Sequence, residues 1–171
     1  MTAIYYDTEF HDTGSAIDLI SIGMVDERGA EYYAVSSEFD QDAVRYHQWL
    51  GAHVWNQLPL TGDGGLDTGD PAVKPRSEIM ADVRRFVLSR QNPQLWAWYG
   101  AYDYVALCQL FGTMVQLPVS FPGWSNDLRQ EYERLGRPQL PLQGPGQHNA
   151  LADARWNRRV HLALQDRPYE V

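Results

Sequence analysis

Residues 3–35 limit the fold more than any other stretch of the chain. Residues 3–9 form a β-rich run, residues 17–25 a second with alternation at Ile20, Ile22 and Met24, and residues 31–35 a third. Glu27-Arg28-Gly29 supplies a turn signal between the last two. Three successive strands with short connections predict an antiparallel meander at the start of a mixed sheet. Downstream the period changes. A short helix is expected over 42–50, and Ile79, Val83, Phe86 and Val87 mark an amphipathic helix over 76–89. A fourth strand is expected over 94–99, with helices over 103–111 and 125–135. A Pro/Gly-rich passage over 138–146 precedes a last helix over 149–164. Between residues 58 and 75 the composition turns to Gly, Asp and Pro, as in Gly62-Asp63-Gly64-Gly65, which reads as a long surface loop. The expectation is an α/β fold, a mixed sheet of an antiparallel meander plus parallel strands flanked by helices, in a single domain over 1–171.

Composition narrows the function classes. An apolar fraction of 44% with six Trp, ten Tyr and five Phe excludes a disordered chain. The lone Cys108 cannot form an intramolecular disulfide and is expected as a buried thiol in a reducing compartment. No apolar run approaches the ~20 residues of a membrane span, and no signal peptide is visible, so a cytoplasmic protein is expected. The net charge of −8 excludes a broad electrostatic grip on nucleic acid. It leaves room for an enzyme that meets a polyanion through bound cations, with a footprint of a few terminal nucleotides.

Five polar residues stand out. Asp7 and Glu9 are two apart on a strand, so their side chains leave one face, with Cα atoms ~6.6 Å apart at the usual rise. Taken alone, the pair reads rather as a solvated strand end; the buried character of Ile4-Tyr5-Tyr6 before it weakens that reading. Asp103 follows Trp98-Tyr99-Gly100-Ala101-Tyr102 at a strand-to-helix junction, where a helix cap is the plain alternative. Within one helix His148 and Asp153 would point about 140° apart. The two can cooperate only if His148 lies on the loop before the helix, with Asn149 as the N-cap. Four carboxylates with one imidazole suit Mg²⁺ or Mn²⁺. A zinc site is disfavoured, because there is one Cys and no His at i+4 from His148.

Order and spacing carry a resemblance. Asp7-Thr8-Glu9 matches D-x-E, Ala97 to Asp103 follows the aromatic-Asp ending of A-H-N-A-x-F-D, and His148 to Asp153 matches H-x-A-x-x-D. The chain thus resembles the DEDDh family of 3′→5′ exonucleases, with Tyr99 standing where the second motif often has Asn. The phrases Tyr6 to Phe10, Leu19 to Gly23, Glu31 to Ser36 and Ala101 to Leu110 are most similar to its polyadenylate-specific branch, exoribonuclease AS. The resemblance implies a ribonuclease H–like fold and a homodimer. It also implies two Mg²⁺ ions, with Mn²⁺ able to substitute, and an RNA 3′ end carrying adenylate as substrate. It implies further that Asp7, Glu9, Asp103 and Asp153 hold the metals, that His148 is the catalytic base, and that a nucleoside 5′-monophosphate leaves.

Other readings remain open at this point. A DEDDh exonuclease acting on DNA or on short oligoribonucleotides without adenine preference would carry the same motifs. A catalytically silent ribonuclease H–like module would have no need to keep five costly polar groups together. A small-molecule metal hydrolase lacks a signature. Phe10 is a candidate substrate contact by stacking on the terminal base, or an ordinary core residue. Trp96 and Trp98 read as core. Arg155, Arg158 and Arg159 read as a solvated helix face. Residues 63–70 resemble a calcium loop only superficially, because Gly65 occupies its third position and Lys74 its twelfth.

Overall fold

A computed structural model describes residues 1–165. In chain order the elements are β1 (Thr2–Asp12), β2 (Ile17–Asp26), β3 (Glu31–Ser36), α1 (Gln41–Tyr46), α2 (Gln48–His53), β4 (Val73–Lys74) and α3 (Arg76–Leu88). Then follow β5 (Pro93–Ala97), α4 (Ala101–Gln109), β6 (Ser125–Asp127), α5 (Leu128–Arg134) and α6 (Ala150–Gln165). The strands form one six-stranded sheet in the order β4-β3-β2-β1-β5-β6. β1, β2 and β3 pair antiparallel, as their period-2 patterns predict, while β5 joins β1, β6 joins β5 and β4 joins β3 in parallel. This is the mixed sheet flanked by helices expected from the sequence, and it is consistent with a ribonuclease H–like fold.

Alternation along β1 sorts its side chains between two layers. Ile4 and Tyr6 pack with Ile79, Val83 and Val87 of α3 and with Ala106 and Leu107 of α4. Tyr5 faces the other way, its hydroxyl 3.0 Å from Nδ1 of His161 on α6. Asp7 and Glu9 share the parity of Tyr5, so the strand aims both acids at the α6 layer. The large cluster around Ile4 and Tyr6 lies on the opposite face and holds the strand that presents them.

Five local expectations are corrected. Ile20 does not share a cluster with Ile22 and Met24: a bulge opposite Glu9 and Phe10 inserts an extra β2 residue, and Leu19 takes the core position instead. The helix expected over 42–50 is two helices, parted at His47, whose Nδ1 accepts from the amides of Trp49 and Leu50 and caps α2. Residues 125–127 are strand β6, with helix only from Leu128. The 58–75 segment is more anchored than a surface loop, since Leu58 and Leu66 are buried and β4 adds an edge strand. Cys108 is half-buried rather than fully buried.

Candidate active site

The two helix starts and one loop converge on the second half of β1, which runs on past Glu9 to Asp12. Asp7 and Glu9 come from β1, Asp103 from the first turn of α4, and Asp153 from the first turn of α6. With His148 they line a cavity of about 270 Å³. Glu9, His148 and Asp153 each offer a ligand atom within 4.8 Å of the other two. All five residues singled out in the sequence thus share one site.

Each group is held by specific donors. Oδ1 of Asp103 accepts from both the amide and the hydroxyl of Thr8, at 2.8 and 2.7 Å. Oδ1 of Asp153 accepts from the Gln143 side chain at 2.6 Å, and Oδ2 from the amide of His148 at 2.9 Å. His148 lies on the loop before α6 with φ of 68°, a left-handed conformation rare outside glycine. Asn149 caps the helix as expected, its Oδ1 accepting from the amide of Ala152 at 3.1 Å.

The charges resist one another. Burial, then the neighbouring charges of Asp103, Glu9 and Asp153, hold Asp7 well above the carboxylate range, although the residue as a whole is only partly buried. Burial and the charges of Asp153 and Asp103 push Glu9 up to about 8. Asp103 rises to about 6, burial prevailing over the Thr8 donors. Burial also raises Asp153 against the pull of its two donors. His148 is pushed down by burial and by His53, with Asp153 opposing.

Among the described residues, no Lys or Arg ion-pairs with any of the four acids. Asn157, 1% exposed in the cavity wall, donates Nδ2 to the carbonyl of Tyr6 at 2.9 Å and leaves its buried Oδ1 without a partner among the described residues. Unpaired carboxylate oxygens beside a vacant buried acceptor fit hard divalent cations and the waters they carry. The arrangement can gather positive charge against an anionic substrate and offers an imidazole as proton acceptor.

The cavity walls are aromatic. Half-buried Phe10 stacks on exposed Tyr102, ring centroids 5.9 Å apart at 19°. Trp98 and Trp96 both pack against the Leu128, Val160 and Leu164 cluster as expected, but Trp98 also lines the cavity beside Trp156, whereas Trp96 packs on His161. Tyr99 is exposed, at φ of 58°, and its amide donates to Asp127 at 3.2 Å. Arg155 is paired with Glu31, and Arg158 donates to the carbonyl of Glu27, so both are engaged away from the acids. Sequence reasoning missed Thr8, Gln143 and Asn157. Thr8 lay inside a motif, and Asn157 sits one helical turn after Asp153; Gln143, in the Pro/Gly passage, gave no periodic signal.

The model of the Rv2179c-like 3′-5′ exoribonuclease domain matches residues 2–165. Two proteins of Mycobacterium tuberculosis are similar to this chain: the 3′-5′ exoribonuclease MT2234.1 of strain CDC 1551 / Oshkosh and the 3′-5′ exoribonuclease Rv2179c of strain ATCC 25618 / H37Rv. Each is 43% identical over 153 residues, which covers 88% of this chain and 86% of the relative.

Proposed function

Since the chain belongs to the Rv2179c-like 3′-5′ exoribonuclease domain family, we propose that it removes nucleotides one at a time from RNA 3′ ends as 5′-monophosphates. Adenylate tails are the preferred substrate in this reading. The observation that carries it is the convergence of Glu9, His148 and Asp153 within 4.8 Å in a cavity shared with Asp7 and Asp103.

Asp7, Glu9, Asp103 and Asp153 would hold two Mg²⁺ ions, with Mn²⁺ able to substitute. When bound, such ions acidify the attacking water and offset the charge on the phosphodiester. His148 accepts the proton of that water at an imidazole nitrogen. Burial keeps this ring neutral near pH 7, the form an acceptor requires. Gln143 and the His148 amide fix the Asp153 carboxylate, and the two Thr8 donors fix Asp103, so ligand oxygens need little reorganisation on binding. Phe10, backed by Tyr102, offers a face for the terminal base.

A homodimer is part of the proposal. Tyr102, Val105, Val115, Val119 and Trp124 expose large apolar side chains in one stretch of chain, which supports an interface there. Light scattering on the purified protein reads the oligomeric state directly.

The test of activity is digestion of labelled oligo(A), oligo(U) and oligo(dA), with Mg²⁺ or with EDTA. Stepwise release of AMP from the 3′ end, only with metal and fastest on oligo(A), is expected. Equal rates on oligo(A) and oligo(U) would remove the adenylate preference, and faster loss of oligo(dA) would remove the RNA preference. No metal-dependent release from any strand would overturn the assignment.

A further inference from the structure

We propose that Trp49 and His53 form an aromatic buttress on α2 that fixes the imidazole of His148 in its working orientation. The inference rests on the reading of His148 as proton acceptor and assigns it two positioning residues.

The backbone of His148 is pinned, but its ring is not held by hydrogen bonds. Its amide donates to Asp153, and the next amide, of Asn149, donates to the carbonyl of Gly146 at 3.0 Å. Among the described residues no group hydrogen-bonds either imidazole nitrogen. A histidine base is ordinarily oriented by a carboxylate or carbonyl on its second nitrogen. Here packing takes that role. The ring meets Trp49 edge-on, centroids 4.8 Å apart at 77°, and His53 at 5.7 Å and 84°. Trp49 and His53 stack face to face at 4.9 Å and 19°. Nδ1 of His53 donates to the carbonyl of Trp49 at 2.9 Å, so the two rings move as one unit.

The unit is itself anchored. Leu50, between them, is buried with Val44, Val54 and Trp55, and His47 caps the helix. The loop bearing His148 is tied to the same region where Asn149 Nδ2 donates to the carbonyl of Gln57 at 3.4 Å. Trp49 itself is 45% exposed, too open to serve mainly as a core anchor. An exposed Trp stacked on an exposed His, both facing one imidazole, is explained by what that imidazole must do.

The experiment compares kcat and KM on oligo(A) for Trp49→Ala, Trp49→Phe, His53→Ala, His148→Ala and the Trp49→Ala/His148→Ala double variant, with thermal melts as a check of folding. Trp49→Ala is expected to lower kcat about 10–100-fold, with KM within about twofold, because misplacing a catalytic group acts on the chemical step. His53→Ala should show a smaller loss of the same kind, and Trp49→Phe should recover most of the rate by restoring an edge contact. In the His148→Ala background, Trp49→Ala should add no further loss. A KM rise with kcat intact would make Trp49 a base platform and overturn the buttress, as would an equal loss in the His148→Ala background. Wild-type kcat in Trp49→Ala with inactive His148→Ala would overturn the buttress alone. Normal turnover in His148→Ala would overturn the acceptor role and the buttress together.

Discussion

The first turn of α6 rests directly on Gly23 of β2: a Cβ at Gly23 would overlap the backbone carbonyl of Ala150. Gly23 is also the cross-strand partner of Asp7. The missing side chain therefore lets the helix that carries Asp153 descend onto the strand pair that carries Asp7 and Glu9. Gly23→Ala is expected to cost about 1–3 kcal/mol, because backbone rather than a flexible side chain must yield. Turnover should fall further than the loss of folded protein explains. Gly62→Ala, where a Cβ meets nothing within 4 Å, is the matched control and should change neither quantity. Melting curves and kcat of the two variants decide the matter; wild-type stability and turnover in Gly23→Ala would show that α6 is not seated there.

Thr8 is the second residue whose importance is local. Both of its donors converge on one oxygen of Asp103, and Asp103 is otherwise buried among acids. Thr8→Val keeps the shape and the amide donor but removes the hydroxyl. If Asp103 holds a metal as proposed, its weakened orientation is expected to reduce metal affinity or turnover about tenfold. Thr8→Ser should retain near-parental activity. Isothermal titration with Mn²⁺ separates binding from turnover, and a Val variant with unchanged affinity and rate would assign the bond to folding alone.

The legibility of the fold follows from where its signals are local. The meander announced itself through period-2 runs, and the acids through their place on a buried strand and at helix starts. β6 did not, because three residues are too few for an alternation and run straight into a helix, which Asp127 caps by accepting from the amide of Arg129 at 2.8 Å. What fastens β6 is tertiary: it lies parallel to β5, and the Asn126 side chain donates to the carbonyl of Leu95 at 3.0 Å. The bulge at Glu9 and Phe10 was equally hidden, since an inserted residue leaves composition unchanged while reversing which side chains face the core. In the site, the five charged or ionisable groups could be read from the sequence. Gln143, Asn157, Trp49 and Gly23 could not, because each acts across a contact between distant segments. Asn157 left a trace one helical turn after Asp153, and Gly23 one as a glycine inside a strand pattern.

Asp26 provides a stability test away from the site. Burial opposes its ionisation, but the amides of Ala30 and Arg28 and the guanidinium of Arg90 outweigh it and hold the carboxyl below its usual range. The sign follows from linkage. A depressed carboxylate contributes stability at pH values above its unfolded pKa of ~3.9, and the contribution is lost as pH falls through the lower folded value. Asp26→Asn, which leaves Arg90 without its partner, should therefore cost about 3 kcal/mol at pH 7 and progressively less below pH ~4. Denaturant midpoints of parent and variant across this range should converge toward acid, and a constant difference would show that the ion pair is not the source.

The carboxylates of the site should behave in the opposite sense. Glu9 is raised to about 8 and Asp7 is held well above its ordinary value, so in the metal-free protein folding favours their protonated forms. Such groups contribute stability that is fully present below their unfolded pKa of ~4 and is lost as pH rises through the folded value. In EDTA, the contribution of Glu9 should fall as pH rises from 5 to 8, and that of Asp7 as pH rises through its own raised value. Divalent cations would replace the missing protons, so Mg²⁺ should raise the melting temperature more at pH 8 than at pH 5, with protons released on binding. Asp7→Asn removes the acid most opposed by its neighbours. At pH 8 in EDTA that variant is expected to melt about 3–6 °C above the parent, a gain of about 1–2 kcal/mol, while losing turnover and most of the Mg²⁺-induced stabilisation. Differential scanning fluorimetry across pH, with and without Mg²⁺, reads both effects. A destabilised Asp7→Asn protein that still responds fully to Mg²⁺ would place the cations elsewhere.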